Sequence, residues 1–308
     1  MIIDFHVHIW EEGTPFYQGS PDDYVKKMDQ LGIDKMCILG VDLGVHYARY
    51  NRRDSQRRLT AFESSFGHKT SLSNKHLYDF VKVHPDRLVG FGSIHPDGNY
   101  NLEEEFEKCV NDYGFKGLKL YPLSGFYPDD ERLFPVYEKG EKLGSVFLFH
   151  TGVKDCSSMN MKYDDPIYLD NLAAEFPELK IVIAHIAYPW VDKAIWVAFC
   201  NANVFLEISG LMTFESFANT PVVKETLTKI LNCTRLNGKT VFGSDGPRPT
   251  EKYLEMIKEA EYISPDDKKR ILGETADWLL KASNEQFREF LYHLPEGLST
   301  RTEAYREQ

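Results

Sequence analysis

Eight short apolar runs, rich in β-branched and aromatic residues, constrain the fold more than any other feature. They are Ile2–Phe5, Met36–Leu39, Leu88–Ile94, Phe115–Leu120, Val146–Phe149, Lys180–Ala184, Val204–Ile208 and Thr240–Phe242. They are continuous rather than alternating, as strands covered on both faces should be. Segments of helical character separate them: Pro21–Leu31, Leu102–Tyr113, Leu133–Leu143, Tyr168–Phe176, Trp190–Cys200, Val222–Leu231 and Glu251–Tyr262. Ser20 is placed to cap the first of these, and Gly32, Gly114 and Gly144 follow the ends of three. Pro177 stops a fourth, since proline cannot continue a helix interior. Repeated strand–helix alternation gives a parallel sheet with right-handed crossovers, and eight units fit a closed barrel. The expected fold class is α/β: a distorted (β/α)8 TIM barrel with extra C-terminal helices. An open doubly wound sheet is the alternative.

Two regions fall outside this count. Residues 40–75 read as a loop inserted after the second strand, with a basic stretch around Arg49, Arg52, Arg53, Arg57 and Arg58. In a barrel it would emerge at the C-terminal face, where active sites sit. A lid, an oligomer contact and a mobile loop are all consistent with it. The chain from Ser264 reads as two further helices, Pro265–Leu280 and Glu285–Tyr292, with a polar end after Pro295. The expected division is a barrel over 1–282 and a helical tail over 283–308.

Composition narrows the partners. With 36 Lys+Arg against 47 Asp+Glu, the net charge of −11 argues against nucleic acid, which needs a basic surface. No stretch approaches the roughly 18–20 apolar residues of a membrane span. The N-terminus has no basic segment leading into an apolar one, so no signal peptide is expected. The five cysteines, Cys37, Cys109, Cys156, Cys200 and Cys233, are scattered without a C-x-x-C pair. They read as buried, reduced thiols of a cytoplasmic protein. The expected partners are a small-molecule substrate and a second copy of the chain in a homodimer.

His6-Val7-His8 follows the first apolar run. Alternate strand residues share a face, so the two imidazoles point together, at a spacing suited to one Zn²⁺. An H-x-H alone is a weak signal in a chain with ten histidines. Three other residues strengthen it. His150 follows Val146–Phe149, His185 follows Lys180–Ala184, and Asp245 lies just past Thr240–Phe242. Residues at the C-terminal strand ends of one barrel converge on one pocket. Histidines with a carboxylate make a complete ligand set for a catalytic zinc that keeps one position open.

These segments resemble the amidohydrolase superfamily, in its amidohydrolase-related branch of barrel enzymes. That branch includes aminocarboxymuconate-semialdehyde decarboxylase, resorcylate-type decarboxylases and pyrone-dicarboxylate lactonase. The resemblance rests on Ile3–His8, Gly114–Pro122, Phe149–Gly152, Ala184-His185 and Phe242–Pro247 in this order. A weaker match is Ile271–Ala276, where the family usually has Gly-Asn-Ala. The resemblance covers about residues 1–282. It implies metal ligation by His6, His8, His150 and Asp245. It implies that His185 orients or activates the bound water, or polarises the substrate. The cofactor it implies is one divalent ion per chain, Zn²⁺ first, with Mn²⁺ or another metal as alternatives. Neutral imidazoles and one carboxylate would leave that ion positive, lowering the pKa of bound water from about 15.7 towards about 7. Asp245 could then accept the water's proton and deliver it to a leaving group.

Other residues keep several readings. Lys119 ends the fourth run, where binuclear relatives carry a carboxylated lysine. It is otherwise a contact for a substrate anion, or a lysine paired to Glu207 or Asp4. Arg248 either holds a substrate carboxylate bidentately or is a solvated loop residue. Asp4 either supports a histidine or caps a strand. Glu207 ends the seventh run and reads as structural pairing. His46, His68, His76, His84 and His293 read as ordinary histidines, whereas His95 ends the third run close to where a pocket would open. Gly90-Phe91-Gly92 is not a nucleotide fingerprint, and no G-x-S-x-G elbow supports a serine hydrolase.

The first functional expectation is a metal-dependent hydrolase of a small carboxylate-bearing ester, lactone or amide. The second is a metal-dependent non-oxidative decarboxylase of an aromatic or muconate-type acid. The third is a metal-free or catalytically silent barrel that binds a ligand.

Overall fold

The computed structural model describes residues 1–10, 12, 17–44, 72–152, 159–209, 211, 221–233, 236, 238–246 and 250–292. Most of the inserted stretch 40–75, with its arginines, lies outside these residues. So do Cys156, Arg248 and the chain after residue 292.

Among the described residues eight strands form, in the expected places: β1 (Ile3–His8), β2 (Lys35–Leu39), β3 (Leu88–Phe91), β4 (Gly117–Leu120), β5 (Val146–Phe149), β6 (Lys180–Ile183), β7 (Val204–Glu207) and β8 (Thr240–Val241). All pairings are parallel. The ladder runs β1-β2-β3 and, separately, β4-β5-β6-β7-β8. Main-chain hydrogen bonds cross both gaps. Between β3 and β4, Gly92 N–H donates to the Gly117 carbonyl at 3.0 Å and Lys119 N–H to the Gly92 carbonyl at 2.7 Å. Between β8 and β1, Phe5 N–H donates to the Phe242 carbonyl at 2.9 Å and His8 N–H to the Gly246 carbonyl at 3.2 Å. The strands thus run round a distorted barrel with two thin seams.

Among the described residues the α-helices are α1 (Pro21–Leu31), α2 (Asn74–Val81), α3 (Leu102–Glu107), α4 (Phe134–Leu143), α5 (Ile167–Glu175), α6 (Val191–Cys200), α7 (Pro221–Leu231), α8 (Thr250–Glu259), α9 (Pro265–Lys269), α10 (Thr275–Lys281) and α11 (Asn284–Tyr292). In α1, Ser20 and Asp23 form a reciprocal capping box, and Gly32 takes the left-handed conformation just past its end. The periodicity did not suggest α2. It is short, but Ser73 caps it by accepting from His76 N–H, and Leu77 and Val81 are buried. Two segments expected as continuous helices are interrupted by π-helical turns, Lys108–Asp112 and Arg270–Glu274. Among the described residues no helix is long and apolar enough to cross a membrane.

The continuous apolar runs follow from double-sided burial. In β5, Val146 and Leu148 join one core with Phe5, Leu39, Phe91, Val182, Phe205 and Val241. Phe147 and Phe149 join a second core against the surrounding helices, with Leu133, Tyr137 and Leu172. Leu279 and Phe287 of α10 and α11 belong to the first core. Cys37 and Cys109 are buried free thiols, as expected, but Cys200 is exposed and Cys233 only partly buried.

Lys180 opens β6 fully buried. Its Nζ donates to the Ala282 carbonyl at 2.7 Å, just past the end of α10, and lies 5.4 Å from the centroid of Phe287. The positive end of this side chain thus satisfies a carbonyl that the helix leaves unpaired.

Two outcomes follow. A Cβ at Gly117 would collide with the Val146 carbonyl on the neighbouring strand. Gly117→Ala is therefore expected to destabilise the chain by about 3 kcal/mol or more, read from the urea midpoint. Burial lowers Lys180 from 10.5 to about 8. Between those values the unfolded chain holds the extra proton, so the contribution of Lys180 to stability rises with pH across that window. Lys180→Met is expected to flatten the rise in a series of melting curves.

Candidate metal centre

β1 carries His6 and His8 on the barrel side that faces β8. His6 is fully buried, and the His8 side chain keeps a small exposed edge. The β1–β2 register shifts between Asp4 and Val7, the stretch that holds His6. The Asp4 carboxylate does not meet an imidazole. It accepts the main-chain N–H of Ser244 at 2.9 Å and of His6 at 3.3 Å, fastening β8 to β1. Its burial pushes its pKa up to about 6. Past β8, Asp245 takes a left-handed φ of 53°. That conformation is uncommon for a non-glycine residue and is tolerated best by Asp and Asn.

His6, His8 and Asp245 come together. His6 Nε2 lies 3.1 Å from His8 Nε2, and Asp245 Oδ1 lies 3.4 Å from the first and 3.7 Å from the second. The other ring nitrogens are tied back. His6 Nδ1 donates to Glu207 Oε2 at 2.9 Å, and His8 Nδ1 donates to the Leu39 carbonyl at 3.2 Å. A neutral imidazole with its proton on Nδ1 has a bare Nε2. Two unprotonated nitrogens and a carboxylate oxygen therefore face one another, with the Lys119 ammonium 3.4 Å from His6 Nε2, an electron-rich cluster that favours a cation. Ligands at roughly 2.0–2.1 Å around a tetrahedral zinc stand about 3.3 Å apart, close to the three separations here. The residues fit a divalent ion.

A second grouping shares His6. Ligand atoms of His6, His185 and Glu207 also lie within 4.8 Å of one another. His185 follows β6 in a tight turn, with φ of 58°, and Ile186 and Ala187 are also left-handed. Such positions cost about 1–3 kcal/mol each and persist where the surroundings impose them. Here the His185 N–H donates to Glu207 Oε2 at 3.1 Å, and Trp190 N–H donates to the Ala187 carbonyl at 2.7 Å. Gly152 lies against this turn, where a Cβ would collide with the main chain of Ala187 and Tyr188. The His185 ring is held at both ends, with Nδ1 2.8 Å from Ser209 Oγ and Nε2 3.1 Å from His150 Nδ1.

The expected residues thus occupy different stations. His6, His8 and Asp245 form one triangle. His150 stands beside His185, its ring 4.3 Å from that of Tyr121 and its Nε2 3.9 Å from Asp164 Oδ2. Lys119 is fully buried, with Nζ 3.4 Å from His6 Nε2. Arg248 lies outside the described residues. His95 lies past the end of β3, accepting the Asp97 N–H through Nδ1 at 3.0 Å. A small apolar group of Leu43, Tyr121, Leu123 and Met159, with Val41 against it, comes from segments that follow β2, β4 and β5.

Electrostatics agree with a neutral His6. Its burial, then the neighbouring Lys119, His185, His8 and His150, drive its pKa well below 6.5. Burial lifts Glu207 to about 7, against hydrogen bonds from His185 and Ser209 and the charge of Lys119. Glu207 was read from sequence as a structural partner. Its position at the end of β7 hinted at the pocket, but its contacts with two histidines come from other strands.

A sequence profile of the amidohydrolase family matches residues 3–281, so the chain belongs to that family. Its members are enzymes, both hydrolases and decarboxylases. Among curated relatives, 2-amino-3-carboxymuconate-6-semialdehyde decarboxylase of Dictyostelium discoideum is 31% identical over 78 residues. That match spans 25% of this chain and 22% of the relative. Among solved structures, an uncharacterised TIM-barrel protein from Bordetella bronchiseptica superposes with a TM-score of 0.68 at 22% identity. The superposition covers 93% of this chain and 99% of that one. A 2,6-dihydroxybenzoate decarboxylase from Rhizobium gives 0.63 at 18% identity, over 91% and 98% of the two chains. These likenesses establish the barrel fold.

A Cβ at Gly243 would lie 2.5 Å from Glu207 Oε1 and 2.7 Å from His6 Cβ. Gly243→Ala is expected to displace both side chains and weaken divalent-metal binding at this candidate site at least about 10-fold, as loss of supporting contacts to ligands does. A chelator-competition titration measures it.

Proposed function

We propose that the chain is a metal-dependent hydrolase acting on a small carboxylate-bearing ester, lactone or amide through activated water. The observation that carries this reading is the triangle of His6 Nε2, His8 Nε2 and Asp245 Oδ1. Its outer edge reaches solvent, since the His8 and Asp245 side chains are 13% and 14% exposed while His6 is sealed. Water can therefore arrive at the edge where the carboxylate stands. A divalent ion held by His6, His8 and Asp245 would supply Lewis acidity and make a nearby water more acidic. The protein's own groups do the rest. Asp245 accepts the proton of the attacking water and returns it to the leaving group. His185, held by Ser209 and His150, orients the water or polarises the substrate carbonyl. Lys119 places an ammonium beside His6 for a substrate carboxylate, with Arg248 as a second clamp. Val41, Leu43, Tyr121, Leu123 and Met159 would receive the apolar part of the substrate.

Similarity to the Dictyostelium discoideum decarboxylase favours a second reading, non-oxidative decarboxylation of an aromatic or muconate-type acid. There the site would chelate substrate oxygens, and a side chain would supply the proton that replaces CO₂.

Elemental analysis is expected to find about one equivalent of zinc or a similar divalent metal per chain. Chelation should abolish turnover and added metal restore it. With a panel of pyrone and aromatic carboxylates, ring or ester opening supports hydrolysis, whereas CO₂ release supports the second reading. His8→Ala should lose metal and turnover together. His185→Ala should keep the metal while turnover falls about 10²–10⁴-fold. Loss of metal from His185→Ala would instead make His6, His185 and Glu207 the ligand set.

A further inference from the structure

His95 lies past the end of β3, where the rim connections that follow β2, β3 and β4 meet. It is 2% exposed. Its Nδ1 accepts the Asp97 main-chain N–H at 3.0 Å. That nitrogen therefore carries no proton, and the proton of the neutral ring sits on Nε2. Nε2 is sealed from solvent and finds no acceptor among the described residues. The loop after β2 closes on the same ring. Gly44 has a left-handed φ of 70°, and a Cβ there would lie 2.3 Å from His95 Nδ1. Gly44 N–H donates to Asp42 Oδ1 at 2.9 Å, Tyr100 Oη donates to Asp42 Oδ2, and His95 N–H donates to Tyr100 Oη at 2.8 Å. From the connection after β4, the Phe126 ring lies 5.0 Å from that of His95, edge to face, and Arg132 bridges Asp97 and Asp130. Leu43, between Asp42 and Gly44, packs with Tyr121, Leu123 and Met159, and the Tyr121 ring is 4.3 Å from that of His150.

We infer that His95 is a positioning residue: its unprotonated Nδ1 latches the rim loops after β2 and β3 and so holds Leu43 in the apolar wall, and protonation of the ring releases them. An imidazolium carries N–H on both nitrogens and cannot accept. Its Nδ1–H would face the Asp97 N–H with Gly44 pressed against it, so the ring would have to turn and the Gly44 contact would be lost. The charged groups facing the ring are Asp42 from the loop after β2, Asp97 on its own loop, and Asp130 and Arg132 from the connection after β4. Burial, with Arg132, opposes the imidazolium and outweighs the three carboxylates, so the ring titrates below 6.5. As pH falls through 6.5 the unfolded chain takes up the proton first, so the stability the latch contributes falls with it and is gone below the folded-state pKa. This deepens the proposed function and rests on it for the purpose of the wall, but the latch is a property of the chain without metal or substrate.

The test uses the full chain, freed of metal. ¹⁵N-histidine spectra give the protonated nitrogen and the titration midpoint of the His95 ring, assigned by its loss in His95→Asn. Hydrogen exchange, corrected for intrinsic rates, gives the protection of residues 42–44 and 95–100 from about pH 8 to about pH 5. The wild type is expected to show Nε2–H, a midpoint below 6.5, and at least an about 10-fold loss of protection in both segments around that midpoint. In His95→Asn, Oδ1 stands where Nδ1 stood and accepts the N–H two residues on without titrating. Its protection should stay level across the range. His95→Phe fills the space but accepts nothing, and should show low protection at every pH. Nδ1–H in the wild type would overturn the inference. So would protection that survives protonation of the ring, or that falls equally in His95→Asn. A titrating latch in a chain that turns over none of the pyrone and aromatic carboxylates would uphold the latch and overturn the proposed function instead.

Discussion

A carboxylate sealed inside the barrel organises this molecule's polar centre. Glu207 is fully buried, and burying a charge without partners is prohibitive. It is tolerable here because donors converge from three directions: the His6 ring on β1, the His185 main chain after β6, and Ser209 just past β7. Each donor is also a piece of the candidate site. Gly243 is part of the same bargain, since a side chain there would occupy the space of the carboxylate. The carboxyl group whose burial has to be compensated is thus also a direct neighbour of two histidines of the candidate site.

Much of this was legible in the sequence because strand ends are local features. His150, His185 and Asp245 each follow an apolar run, and a parallel barrel brings such positions to one face whatever lies between them. Asp4, by contrast, could not be read. Its role depends on the main-chain N–H of Ser244, some 240 positions away, and no spacing encodes that contact. The helix α2 was hidden by its eight residues, too few to establish a period. The π-helical turns at Lys108–Asp112 and Arg270–Glu274 leave no mark in an apolar pattern either. Glu207 was visible as a strand-end acid, but its centrality is a matter of how three rims approach one another. The side-by-side placement of His150 and His185 depends on ring orientation, which strand position does not specify.

The turn at His185 shows the same division between local preference and tertiary demand. His185 tolerates a left-handed φ better than most residues, but Ile186 and Ala187 do not favour one, and for β-branched Ile186 it is plainly unfavourable. The conformation is imposed by Glu207 from behind and admitted by Gly152 in front. Local strain of this kind gathers where a side chain must be held in one orientation for use.

The two seams give the barrel an unequal construction, one arc of three strands and one of five. His6 and His8 belong to the smaller arc, and Asp245 follows the last strand of the larger. A cation gripped by all three would act as a clasp across the β8–β1 junction, where few main-chain bonds hold the arcs together. Because such a ligand would bind the closed form and not the open one, its affinity would be returned to the protein as resistance to melting. Catalytic loading and mechanical integrity would then be one equilibrium, read at the rim in one case and along the stave in the other.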